Sequence, residues 1–271
     1  MIRTQHLIRG PQLSILRFDH QPDTDHTEMD EEVCSNYSIN FVEDGSFGLA
    51  VKKQRWLLSS GYVFFSQPGA VHRYSHQERI PTDVCLSVIY SGTLADEITH
   101  FVSDDSPAVI SPANRLAFLK LKLTRLLSDE CAFTLEDWAS ELISAISPKR
   151  KNPNHLYGDR QLRWYAERVE AVRDLFKTRF AECHSLTSVA KSVGMSPFQF
   201  ARVFSELAGS PPHQYLLTVR LNQAAEMIRN GKSVTETCFD VGFANLSHFT
   251  RSFQRRFGFT PSSLKPRRRQ I

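Results

Sequence analysis

No apolar run in this 271-residue chain approaches the ~20 residues that a membrane-spanning helix needs. The start, MIRTQHLIRGPQLS, carries no apolar stretch long enough for a signal peptide, so a cytoplasmic chain with no membrane partner is expected. Cysteine is scarce: Cys34, Cys85, Cys131, Cys183 and Cys238 are odd in number and widely spaced, with no C-x-x-C pair. That pattern excludes a disulfide framework and a cysteine-built zinc site, and reads as reduced thiols. A marked excess of one charge is also missing, since 33 Lys and Arg face 29 Asp and Glu.

The near balance hides an asymmetry. Residues 159–271 hold 18 basic and 9 acidic side chains, whereas residues 1–158 hold 15 and 20. A basic half joined to an acidic half points to a polyanion as the partner of the former. At this length the chain can fold as two domains, each with its own core.

Up to about residue 110 the pattern is that of β-structure. In YSINFVEDGSFGLAVKKQRWLLSSGYVFFSQPGAVHRYS, short apolar or alternating runs break at Asp44-Gly45, Ser60-Gly61 and Pro68-Gly69. Turn signals at this spacing predict a sandwich or small barrel. The period then changes: PANRLAFLKLKLTRLL and TLEDWASELISAIS have apolar residues three and four apart and read as helices. Their stripes (Leu116, Leu119, Leu123, Leu126; Trp138, Leu142, Ile146) suit either dimerisation or a cap over the barrel, and dimerisation is the expectation. SPKRKNPNHLYGD is polar with two prolines and reads as a linker. The resulting α+β plan has a barrel domain at 1–110, a helical segment at 111–147, a linker at 148–159 and an all-helical domain at 160–271.

That last domain contains a repeat. Ala190 and Gly194 match Cys238 and Gly242, and Arg202, Phe204, Gly209 and Pro212 match Arg251, Phe253, Gly258 and Pro261. Each copy reads as helix, turn, helix. In the second, Ser233 and Glu236 form a capping box, Gly242 ends the first helix, and a new helix starts near Asn245. Leu246, Phe249 and Phe253 fall on one stripe and Ser247, Arg251 and Arg255 on another. In the first, Ser196 caps, Pro197 takes the first helical position, and Phe200, Val203, Phe204 and Leu207 point inward, while Phe198, Ala201, Arg202 and Ser205 point out. An arginine on such a helix can donate two hydrogen bonds to guanine in a major groove. A solvated basic face would explain one copy; two copies with Arg at the same outward position favour double-stranded DNA. Single-stranded RNA held on exposed aromatics fits less well, because most of the phenylalanines lie on the inward stripe. Between the copies, 213–230 is predicted to be one helix about 27 Å long at ~1.5 Å per residue.

GSPPHQY at 209–215, Arg220-Leu221 with Ala224-Ala225, and GFANLSHFTRSFQRRFGFTP resemble the AraC/XylS family of bacterial transcription regulators. The resemblance covers about 100 C-terminal residues. It implies a seven-helix domain whose two helix-turn-helix units bind duplex DNA, a nucleoid location, and RNA polymerase as a further contact. By position, Phe198, Ala201, Arg202 and Ser205 of the first unit would meet DNA, with Leu246, Ser247, Thr250, Arg251 and Arg255 of the second. Cys238 stands where alanine is commoner, and Leu264 where an aromatic is, which implies looser packing of the last helix.

GYVFFSQPGAVH, Gly61 to His72, is similar to a cupin motif and implies a sensor domain with a cupin or jelly-roll barrel that binds a small-molecule effector. Phe41, Trp56, Phe64, His72 and Tyr74 are the expected lining. The alternative is a cupin-type metal-dependent enzyme with a helical appendage. His26 and Glu28 in DHTEMDEE are its weak candidates beside His72, whereas a metal needs three or four convergent ligands. Hence no cofactor, metal or catalytic residue is expected. The tail KPRRRQI is basic enough to touch phosphates.

Overall fold

The structure is a computed structural model that describes residues 2–20, 30–76, 83–102, 108–127, 134–146 and 155–264. His26, Glu28, Cys131, most of the expected linker and the basic tail lie outside the described residues. The chain divides into two compact units, Met1–Gly158 and Asp159–Ile271.

Among the described residues the first unit carries ten strands: β1 (Ile2–Arg9), β2 (Leu13–His20), β3 (Asp30–Val33), β4 (Tyr37–Asp44), β5 (Ser46–Val51), β6 (Gln54–Ser59), β7 (Val63–Ser66), β8 (Val71–Ser75), β9 (Asp83–Tyr90) and, after a helix, β10 (Val109–Ile110). They form a six-stranded sheet in the order β1-β2-β9-β4-β7-β10 and a four-stranded sheet in the order β3-β8-β5-β6. Every pairing is antiparallel. The expected barrel is thus a two-sheet sandwich: among the described residues no ladder joins the sheets into a closed ring. The turn glycines Gly45, Gly61 and Gly69 all have positive φ, which ties these breaks to the sequence signals. Val42, Phe64 and Cys85 from the larger sheet meet Phe47, Leu49 and Leu58 from the smaller, and this contact is the inter-sheet core.

The outer face of the larger sheet is covered by helices. They are α1 (Gly92–Phe101), which the strand-like reading to residue 110 missed, α2 (Asn114–Leu127) and α3 (Leu135–Ile146). Tyr90 at the end of β9 donates its hydroxyl to the Ala139 carbonyl of α3 at 3.3 Å. Trp138 donates its indole N–H to the Leu119 carbonyl of α2 at 2.8 Å. Leu116, Leu119, Leu123, Trp138, Leu142 and Ile146 are all buried inside this unit. Leu126 of the same stripe is half-buried; the burial of the others is what the capping alternative expects.

The second unit contains α4 (Asp159–Thr178), α5 (Leu186–Ser192), α6 (Pro197–Ala208), α7 (Pro212–Arg229), α8 (Val234–Asp240) and α9 (Leu246–Phe257), closed by a 3-10 turn at Pro261–Leu264. Helix α7 backs both repeats. Its Leu221, Ala224, Ala225 and Ile228 pack on Cys238, Val241, Phe243, Phe249 and Phe253. On the other side Tyr215 meets the Phe204 ring at 5.6 Å, and Phe204 meets Phe176 of α4 at 6.2 Å. Cys238 is fully buried where helices cross, and Leu264 is partly buried against the same core.

Candidate nucleic-acid interface and inter-sheet cavity

Local chemistry fixes both ends of the helices that would meet DNA. Ser196 caps α6 by accepting from the Gln199 N–H at 3.3 Å, and Pro197 takes the first helical position. Asn245 caps α9 by accepting from the His248 N–H at 2.8 Å. Gly209 and Gly258 end the two helices in the left-handed conformation, at φ +79° and +80°. The preceding helices are capped alike, by Ser185 and by Ser233, whose hydroxyl also donates to the Glu236 carboxylate at 2.7 Å.

These ends leave each helix one dry face and one wet face. Phe200, Val203, Phe204 and Leu207 of α6 are buried, as are Phe249 and Phe253 of α9. Of the nine expected DNA contacts none is buried. Phe198, Arg202, Leu246, Ser247, Arg251 and Arg255 are exposed, and Ala201, Ser205 and Thr250 are half-buried. Leu246 needs a correction: it sits in the first turn of α9, is 39% exposed and is not part of the inward stripe. Phe198 is 82% exposed in the first turn of α6. Arg251 folds back along its own helix, its Nε donating to the Ser247 carbonyl at 3.3 Å.

A cavity of about 620 Å³ opens between the two sheets of the first unit. Of the five residues expected to line it, Phe64 and Tyr74 do so. Phe41 does not: it pairs with Leu86, one register step from the cavity-lining Asn40 and Ser87, and strand alternation turns it to the helix-covered face. Trp56 pairs with Leu49 and, partly buried, packs against the inter-sheet core without lining the cavity. His72 is buried behind Tyr74, with Nδ1 3.3 Å from the Tyr74 hydroxyl. Burial lowers the His72 pKa and holds its ring neutral. Burial, and then the Glu32 carboxylate, push the Tyr74 hydroxyl up, so it stays protonated. Among the described residues no three His, Cys, Asp or Glu side chains stand close enough to hold a metal.

Sequence reasoning missed a buried polar network on one wall of this cavity. Asn40 Nδ2, with two protons to give, lies 3.0 Å from Ser38 Oγ, 3.1 Å from Ser66 Oγ and 3.3 Å from the Phe64 carbonyl oxygen. Ser87 donates to Asn40 Oδ1 at 2.6 Å. The signal was present as Ser38 and Asn40 at alternate positions of an otherwise apolar strand.

Residues 189–267 match the family model described as "Helix-turn-helix domain". The virulence regulon transcriptional activator VirF of Yersinia enterocolitica is 29% identical over 97 residues, which are 35% of this chain and 36% of that protein. The chain therefore spans little more than a third of that relative's length. YbfI of Bacillus subtilis (strain 168), an uncharacterized HTH-type transcriptional regulator, is 23% identical over 222 residues, 78% of each chain. A solved transcriptional regulator with an AraC-type DNA-binding domain, from Chromobacterium violaceum, is 28% identical; the match covers 38% of this chain and 94% of that one, with a TM-score of 0.36. No helix among the described residues is long and apolar enough to cross a membrane. With two capped helix-turn-helix units on one backing helix, residues 189–267 are a helix-turn-helix domain of the AraC type.

Proposed function

We propose that this chain is a sequence-specific DNA-binding transcriptional regulator. Helices α6 and α9 enter successive major grooves, and a small molecule held between the two sheets modulates them. One observation carries the reading: two repeats bury a phenylalanine stripe and turn the opposite face, with Arg202 in one and Arg251 in the other, to solvent. Helix α7 has 18 residues and measures about 27 Å at ~1.5 Å per residue, a span suited to grooves ~34 Å apart once the helices' own offset is added. Regulators are also what the matched relatives are named. Phe198, Ala201, Arg202 and Ser205 would contact one groove, and Leu246, Ser247, Thr250, Arg251 and Arg255 the next. Assembly as a homodimer on paired sites, with RNA polymerase as a further contact, belongs to the same proposal.

The test is selection of bound duplexes from random DNA, followed by binding constants across a salt series on the selected and on scrambled sequences. A specific regulator gives a steep salt dependence from counterion release and a clear preference for the selected duplex. Equal affinity for both, or a flat salt response, would sink the proposal. A gel shift on one-site and two-site duplexes checks the homodimer, which raises affinity on the two-site duplex only.

A further inference from the structure

The chemistry of the inter-sheet cavity narrows its ligand. Its acidic side is set by Glu31, Glu32 and Asp83, and among the described residues no Lys or Arg lines it. Two of the three carboxylates have cationic or titratable partners. Glu31 meets the Arg73 guanidinium at 2.7 Å, and Asp83 meets His76 at 3.0 Å. Glu32 differs: it accepts the Tyr74 hydroxyl at 3.2 Å and, among the described residues, has no cationic partner. A carboxylate or phosphate ligand would enter this space against like charge and with no donor cation to meet it.

Beside Glu32 the cavity is aromatic. The Phe47 ring lies 5.9 Å from Phe64 and 6.0 Å from Tyr74, and Phe64 lies 6.4 Å from Tyr74. Three aromatic rings lining the same cavity as an exposed carboxylate suit an ammonium group, which gains from the ring quadrupoles and from the fixed negative charge.

The opposite wall has a defined donor and acceptor. The Phe64 carbonyl can only accept, so the Asn40 amide must present Nδ2 to it and Oδ1 to Ser87. Ser87 therefore donates to Asn40 and keeps oxygen lone pairs for a ligand. Ser38 accepts from Asn40 and keeps its hydroxyl proton. Ser38, Asn40 and Ser87 are all at least nine-tenths buried and all line the cavity. A hydroxyl is the group that satisfies both at once.

Building on the sensory reading above, we infer that the cavity binds a small organic cation, an amine whose charged end lies against Glu32 and Tyr74 and whose hydroxyl is held by Ser38 and Ser87. At about 620 Å³ the space is ample for such a molecule.

Three probes of nearly the same skeleton separate charge from shape: tyramine, N-acetyltyramine and 3-(4-hydroxyphenyl)propanoate. Calorimetric titration of the full chain is expected to rank them cation, neutral, anion. Glu32→Gln keeps an acceptor for Tyr74 and should weaken tyramine about tenfold, the order of one charge-assisted hydrogen bond, without changing the neutral probe. Ser87→Ala should weaken tyramine and N-acetyltyramine alike. If the anion binds as tightly as tyramine, or Glu32→Gln leaves tyramine unchanged, the cation assignment is overturned while the sensory reading stands. If none of the three binds at millimolar concentration, the amine assignment is overturned, while the sensory reading is judged separately by whether any ligand bound in the cavity changes DNA affinity.

Discussion

Arg220 of α7 donates through Nη1 to the Gly242 carbonyl at 2.9 Å, and its other nitrogens reach the carbonyls of Phe180 and Glu182 at 2.7 and 2.8 Å. One guanidinium thus ties the turn between α8 and α9 to the segment that follows α4. Gly242 has φ +84°, and a Cβ there would stand 2.5 Å from the Ala181 carbonyl oxygen and 3.0 Å from the guanidinium itself. Gly231 also has positive φ, at +92°, but nothing lies within 4 Å of its missing Cβ. Gly231→Ala is expected to lose about 1–2 kcal/mol to backbone strain alone. Gly242→Ala adds steric overlap and should lose about 2–5 kcal/mol in denaturant melts. Equal losses would mean that the Arg220 tie yields freely.

Glu141 of α3 faces two buried cations of α2: Lys122 Nζ at 3.2 Å and Arg115 Nη2 at 3.7 Å. Removing the shared carboxylate takes an ion-pair partner from each of two buried cations. Glu141→Leu should therefore destabilise the first unit by about 3–5 kcal/mol. The double variant Glu141→Leu, Lys122→Met should recover part of that loss, because one of the two buried cations is removed with its carboxylate. A double variant no more stable than the single would assign the loss to packing.

The features legible in the sequence are those set by local chemistry. Ser196, Ser233 and Asn245 announce their helices because a cap is satisfied within three residues, and Gly45, Gly61 and Gly69 announce turns because the chain needs positive φ there. The cavity was less legible because its wall is assembled by register: Asn40 meets Ser66 and Ser87 from strands 26 and 47 residues away. Phe41 was misplaced for a related reason. Both faces of β4 are buried, one by the other sheet and one by helices, so apolarity does not say which way a residue turns. The amphipathic stripes of α2 and α3 were read correctly as helical, but a stripe does not name what it packs against.

His72 gives a pH prediction with a definite sign. Burial depresses its pKa below the ordinary 6.5, so as the pH falls the unfolded chain takes up the proton first. Its contribution to stability is whole above 6.5 and is lost as the pH falls from there through the lowered value. Melting of the full chain followed between pH 8 and 5 should show a steeper fall for the native protein than for His72→Gln. Parallel curves would mean that the buried ring takes up its proton at no cost.

The proposed DNA face separates affinity from stability. Phe253 is fully buried, so Phe253→Ala should cost about 3–5 kcal/mol of stability and unfold its unit. Arg251 and Phe198 are exposed, and replacing either by alanine should change stability by no more than ~0.5 kcal/mol. Their effects on DNA should differ in kind. Arg251 spends only Nε on the Ser247 carbonyl and keeps two Nη nitrogens to offer a base; Arg251→Ala should lose about 1–3 kcal/mol on the selected duplex and relax preference at one position, where a guanine is expected. Phe198 has no polar atom to offer and can touch only apolar base surface, such as a thymine methyl. Phe198→Ala should relax preference at an A·T pair about one helical turn from the Arg251 position. Selection repeated with each variant gives the two patterns directly. If both variants lose affinity equally on selected and scrambled duplexes, these side chains hold the backbone and sequence is read elsewhere on the two helices.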